Sequence, residues 1–86
     1  MDKQPRIFFL LGTDGCHLCE VAETLLMQNN IEFQKIDIIE DEQLVSLYGD
    51  HIPVFIAENA EQALFWPFEQ TQLKQYLIHY GIDSSY

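Results

Sequence analysis

Cys16 and Cys19 are the only cysteines in the chain, and they stand at a joint between two kinds of sequence. Ahead of them, residues 6–11 (RIFFLL) form an apolar, β-prone run, and Gly12-Thr13-Asp14-Gly15 is a turn. Behind them a helical pattern covers about residues 16–29, with Leu18, Val21, Ala22, Leu25 and Leu26 at the spacing of one apolar face. A strand that runs through a tight turn into a helix places the first thiol at the helix N-terminus. Unpaired N–H groups and the positive end of the helix dipole favour an anion there. Such a position lowers a cysteine below its free value of about 8.5 and raises the fraction of reactive thiolate. The second thiol lies one helical turn on and can close a disulfide with the first.

The remaining pattern extends this start. Asn29-Asn30 ends the first helix, because Asn tolerates the left-handed backbone of a helix exit. Residues 31–38 (IEFQKIDI) alternate as a second strand, with Ile31, Phe33 and one of Ile36 or Ile38 facing inward. Two strands joined by a helix lie parallel with a right-handed crossover. A short helix is expected over residues 41–48 and stops at Gly49; residues 53–57 form a third strand. A four-residue turn at 58–61 leads to a fourth strand at 62–66, an antiparallel hairpin. Pro5 opens the first strand and Pro67 breaks the chain after the fourth. A last helix spans about 69–80, with Leu73, Tyr76, Leu77 and Tyr80 inward; Gly81 ends it, and the tail at 82–86 is expected to fray. The expected fold class is therefore α/β. Its order is βαβαββα, with a four-stranded mixed sheet covered by helices on both faces in a single domain of residues 1–86.

Charge and composition narrow the function classes. Fourteen acidic residues against Lys3, Arg6, Lys35 and Lys74 give a net charge of −10. That charge repels phosphate backbones and anionic membrane surfaces, so neither nucleic acid nor membrane is expected as a partner. No apolar run approaches the ~20 residues of a membrane span. Residues 1–5 (MDKQP) carry no apolar signal core, and two cysteines without a disulfide framework fit a reducing, cytoplasmic setting. A C-x-x-C beside a βαβ pattern in such a chain reads as a redox dithiol. Three other readings stay open for the pair: a local structural disulfide, two inert buried thiols, and a metal or iron–sulfur site. A zinc site wants four ligands, and only His17 or His51 could join the two cysteines, since no second C-x-x-C or H-x-x-x-H follows.

The element order, the C-x-x-C at the start of the first helix, and Ile52-Pro53-Val54-Phe55 at the start of the third strand resemble a thioredoxin fold. The short chain is similar to a glutaredoxin-like protein over about residues 5–80. The resemblance implies a thiol–disulfide oxidoreductase with Cys16 as nucleophile and Cys19 as resolving thiol. It implies a cis Ile52–Pro53 bond whose loop faces the cysteines and holds substrate by the Ile52 main chain. It calls for a disulfide substrate and an external thiol reductant, with no metal or organic cofactor, and for a monomer.

Departures from the family pattern bear on glutathione. Acidic Asp14 stands shortly before Cys16, where glutathione users carry a basic residue, and the nearest cation along the chain is Arg6. Trp66-Pro67 stands where a Gly-Gly pair admits glutathione to the backbone. Glu69 at the start of the last helix could still hold the glutathione ammonium. Glutathione is expected as a weak co-substrate at most.

Individual residues carry paired readings. His17 either stabilises the Cys16 thiolate or is an exposed first-turn residue. His51 either approaches the dithiol or is an ordinary loop residue. Trp66 and Phe68 either pack in the core or wall a groove beside the cysteines, and His79 is a surface residue. Glu20 and Glu23 suit the helix dipole and receive no catalytic role. Residues 7–11 hold no acid or lysine, so the Cys19 proton is expected to leave through water or a histidine. A redox-silent interaction module is the remaining alternative use of the fold.

Overall fold

The computed structural model describes residues 7–80. In chain order the elements are β1 (Phe8–Gly12), α1 (His17–Gln28), β2 (Gln34–Asp37), a 3-10 turn (Ile38–Glu40), α2 (Glu42–Tyr48), β3 (Val54–Ala57), β4 (Leu64–Phe65) and α3 (Gln70–Tyr80). The sheet order is β2-β1-β3-β4. β1 runs parallel to β2, with Leu11 opposite Ile36 and Gly12 opposite Asp37. It runs antiparallel to β3, with Leu11 opposite Val54, and β3 pairs antiparallel with β4. The expected βαβαββα order holds, with the 3-10 turn added between β2 and α2. Pro5, Arg6, Gly81 and the tail lie outside the described residues.

Strand alternation sorts the apolar side chains into two cores. Phe8 and Leu10 of β1 and Phe55 and Ala57 of β3 face α1 and α3, where they meet Ala22, Leu26, Leu73 and Tyr76. Leu11 and Val54 point to the other face and pack with Ile38, Leu44 and Tyr48 of the 3-10 turn and α2. Helices thus cover both faces. The α1/α3 side is the larger and more aromatic core, with Phe55 stacked on Phe8 at 5.3 Å and edge-on to Tyr76 at 5.6 Å. Tyr76 also ties down the hairpin, because its hydroxyl accepts from the Ala57 N–H at 3.0 Å and donates to the Gln62 carbonyl at 2.7 Å.

Four expectations are corrected, each for a local reason. The second strand is shorter than residues 31–38. Asn30 takes a left-handed backbone (φ 58°), and the Ile31 and Asn30 N–H groups turn back to the Leu26 and Met27 carbonyls at 3.0 Å each. That is a Schellman exit, with Ile31 and Leu26 in the same core, so the chain is still leaving α1 at Ile31. The fourth strand shrinks to two residues, because Gln62 spends its carbonyl on Tyr76. α3 begins one residue late, with Glu69 ahead of it: the Glu69 carbonyl accepts from the Leu73 N–H at 3.0 Å, and its N–H donates to Gln72 Oε1 at 2.7 Å.

The fourth correction concerns the inner face of α1. Cys19, Ala22 and Leu26 are buried, whereas Leu18 and Val21 are 47% and 39% exposed. The small residues face the sheet because the start of α1 lies directly over Gly12. A Cβ built on Gly12 would stand 2.9 Å from the Cys19 sulfur, closer than van der Waals contact permits.

Candidate functional site

The site forms where β1 ends. Gly15 adopts a positive φ of 81°, which a side chain would resist, and the Cys16 N–H turns back to the Thr13 carbonyl at 3.4 Å. The tight turn delivers Cys16 to the N-cap of α1 with extended backbone (φ −89°, ψ 106°). Its carbonyl accepts the first helical bond from Glu20, and its sulfur accepts the Cys19 N–H at 3.1 Å. Sulfur thus holds the slot that Ser, Thr, Asp or Asn usually fills. Cys16 and Cys19 are joined as a disulfide, with Cα atoms 5.2 Å apart. Their environments differ: Cys16 is half-buried, and Cys19 is 8% exposed over Gly12.

Beside the disulfide a groove of about 200 Å³ runs between the start of α1 and the end of β2. Asp14, Glu20, Glu23, Lys35 and Asp37 supply its charged lining. Lys35 Nζ lies 2.8 Å from Glu23 Oε2, an ion pair that links β2 to α1. The hydrogen bond and charge of Glu23 hold the Lys35 ammonium above its ordinary range, and Asp14 and Glu20 add to the effect. Asp37 is committed locally, since its Oδ1 accepts the Ile39 N–H at 3.1 Å.

The residues singled out in the sequence divide into two groups. Cys16, Cys19 and Asp14 come together at the groove. Pro53 is fully buried just ahead of β3, and the Leu11–Val54 register places it at the dithiol end of the sheet. Ile52 beside it packs into the α2-side core. The Ile52–Pro53 and Trp66–Pro67 peptide bonds are both cis. The other candidates do not line the groove. His17 is exposed, and exposed His51 stands edge-on to Phe65 at 5.4 Å. Trp66 and Phe68 pack edge-to-face at 5.0 Å, with Phe68 buried in the α1/α3 core and Trp66 partly buried against it. Glu69 is exposed at the start of α3. Among the described residues, no group of three or more His, Cys, Asp or Glu side chains is arranged to hold a metal ion. No described helix is long and apolar enough to cross a membrane.

Gly12, Glu20, Glu23, Lys35 and Asp37 line the groove without having been given a site role by the sequence. Lys35 is remote from Cys16 along the chain, where Arg6 is the nearer cation. The parallel register, with Lys35 opposite Leu10, brings this lysine to the dithiol across the α1 crossover.

A two-sided α/β sheet with a C-x-x-C pair at the N-terminus of its first helix defines a thioredoxin-like fold of redox type. The family model described as glutaredoxin-like domain (DUF836) matches residues 8–78, and the chain belongs to that family. The X-ray structure of a structural-genomics target protein from X. campestris is similar at 33% identity and a TM-score of 0.73, covering 84% of this chain and 96% of that one. The solution structure of protein Ne2328 from Nitrosomonas europaea is similar at 32% identity and a TM-score of 0.65, covering 88% of this chain and 98% of that one. No curated protein matches the chain.

Proposed function

We propose that this protein is a small thiol–disulfide oxidoreductase in which Cys16 attacks and Cys19 resolves. The observation that carries the reading is the Cys19 N–H directed at the Cys16 sulfur from the first turn of α1, 3.1 Å away. Once the disulfide is reduced, that N–H and the helix dipole favour Cys16 as a thiolate, the form that attacks disulfides. The half-buried position of Cys16 leaves it approachable, while Cys19 is kept for the intramolecular step. Cys16 displaces one sulfur of the substrate and forms a mixed disulfide. Cys19 then attacks Cys16 and releases the second substrate thiol, and the dithiol gives up two electrons to the substrate. An external thiol reductant restores the pair. The Ile52–Pro53 segment, at the same end of the sheet, is the substrate-backbone contact in this reading, and the protein works as a cytoplasmic monomer without metal or organic cofactor.

Glutathione is proposed as a poor partner. It is anionic at neutral pH, and the groove sets Asp14, Glu20, Glu23 and Asp37 against Lys35, whose charge is already paired with Glu23. Carboxylates within a Debye length of about 10 Å lower the local concentration of an anion. Trp66-Pro67 leaves less room for backbone approach than glycine would.

Equilibration against graded dithiothreitol buffers, followed by thiol trapping and mass spectrometry, tests the main reading. A reversible two-electron transition of the Cys16–Cys19 pair is expected; a pair that never re-oxidises, or never reduces, overturns it. Reduction of a mixed disulfide with glutathione as donor, run beside a dithiol donor, tests the second point. Faster turnover with the dithiol is expected, and Asp14→Lys should improve glutathione use most at low salt. Efficient glutathione turnover that falls in Glu69→Gln overturns it.

A further inference from the structure

The resolving step requires Cys19 to lose its thiol proton, and β1 offers nothing to take it, since Phe8, Phe9, Leu10 and Leu11 carry no titratable group. The groove supplies the missing acceptor. The titratable groups that face it are Asp14 from the turn, Glu20 and Glu23 from α1, and Lys35 and Asp37 from β2; no histidine lines it. Asp14, Glu20 and Asp37 are exposed. Glu23 differs from these three. Its side chain is 27% exposed, and it is fixed at 2.8 Å by Lys35 across from β2. It also follows Cys19 by four residues, a spacing that puts two helical side chains on one face with Cβ atoms about 5–6 Å apart.

Resting on the oxidoreductase reading above, we propose that Glu23 is the proton acceptor for Cys19 in the resolving step, with Lys35 as its positioning residue. The Cys19 thiol passes its proton across the groove, through solvent water, to the Glu23 carboxylate. The Cys19 sulfur attacks Cys16, forming the Cys16–Cys19 bond. The bond between Cys16 and the substrate sulfur breaks, and the substrate thiolate leaves with the electron pair. The proton on Glu23 then returns to solvent. Two electrons pass from the protein dithiol to the substrate disulfide over the whole cycle.

The assignment predicts a sign opposite to that of a purely electrostatic role. A carboxylate that only placed negative charge near Cys19 would oppose its ionisation, so Glu23→Gln would speed resolution and move its pH profile to lower pH. A proton acceptor gives the reverse: slower resolution and a profile moved to higher pH.

The test is rapid mixing of the reduced full-length protein with dithiodipyridine, a neutral aromatic disulfide whose released thiol is coloured. The first release, from attack by Cys16, depends on reagent concentration; the second, from resolution by Cys19, does not. Glu23→Gln is expected to leave the first phase unchanged and slow the second about tenfold or more near neutral pH, at the low end of general-base effects. The deficit should close at high pH, where Cys19 ionises unaided, and Glu23→Asp should restore part of the rate. Lys35→Gln, which keeps the acceptor but frees it, should slow the second phase less than Glu23→Gln, and it serves if Glu23→Gln does not fold. A normal first phase with an unchanged or faster second phase in both variants overturns the assignment of Glu23. A first phase that is absent, or that survives Cys16→Ser, instead overturns the oxidoreductase reading itself.

Discussion

At the start of α2 the Asp41 carboxylate accepts the N–H groups of Gln43 and Leu44 at 2.9 and 3.3 Å; at the start of α1 the Cys16 sulfur accepts the N–H of Cys19 at 3.1 Å. The two caps satisfy the same kind of unpaired helical donor, but to different ends. Among the described residues the Asp41 carboxylate serves only the cap of α2, and its task is finished once that helix has formed. Cys16 is neutral while bonded to Cys19 and becomes a capping anion only when reduced and ionised. The backbone of α1 therefore interacts more favourably with one redox state than with the other. In α2 the cap stabilises a helix; in α1 the same geometry biases a chemical equilibrium toward the thiolate.

The comparison breaks most visibly at the cysteines. Cys16→Ser is expected to abolish disulfide exchange, because a hydroxyl in the cap slot keeps the hydrogen bond and loses the nucleophile. Cys19→Ser should keep the first attack and accumulate mixed disulfides, visible by mass spectrometry as a covalent adduct on Cys16. Full dithiol turnover in either variant contradicts the assigned roles.

Next in size is the contact that lets α1 sit over β1. A Cβ at Gly12 meets Cys19 Sγ at 2.9 Å and Cys19 Cβ at 3.2 Å. Gly12→Ala is therefore expected to destabilise the oxidised protein by about 1–3 kcal/mol, the usual cost of overpacking. Urea denaturation measures it, and an unchanged midpoint would show that α1 shifts freely.

Removing the other cap sharpens the contrast. Asp41→Ala should cost about 1 kcal/mol of stability and leave the reactivity of Cys16 unchanged. A loss of exchange activity in Asp41→Ala would mean that the two helix starts are not independent.

The smallest effect is expected at the Glu23–Lys35 pair, where Lys35 is well exposed and solvent screens the interaction. The ammonium is held above its ordinary value of 10.5. Its contribution is thus complete below the unfolded-state value and is lost as pH rises through the higher folded-state value. The difference in urea midpoint between wild type and Lys35→Gln should be small at neutral pH and disappear in strong alkali. A difference that grows with pH contradicts the pairing.

What could be read from the sequence follows from the range of each signal. The strand–turn–helix at Cys16, the Asn30 helix exit and the short helix at 42–48 are specified by neighbouring residues, and all three are where the pattern puts them. The thioredoxin-like fold was carried by C-x-x-C together with Ile52-Pro53-Val54-Phe55. The inner face of α1 was misjudged because hydrophobicity favours Leu18 and Val21, whereas close approach to Gly12 favours the smaller Cys19 and Ala22. The β2 side of the groove was invisible for a different reason. Lys35 and Asp37 reach the dithiol through strand register, a long-range property that no local pattern in residues 31–38 encodes.

Alkylation of the fully reduced protein with iodoacetamide over a pH series, read residue by residue by mass spectrometry, tests the central claim most directly. The account predicts that Cys16 reacts first and already at mildly acidic pH, with a midpoint well below the free-thiol value of about 8.5, while Cys19 stays protected until higher pH. Labelling of Cys19 ahead of Cys16, or a Cys16 midpoint at the free-thiol value, would contradict it.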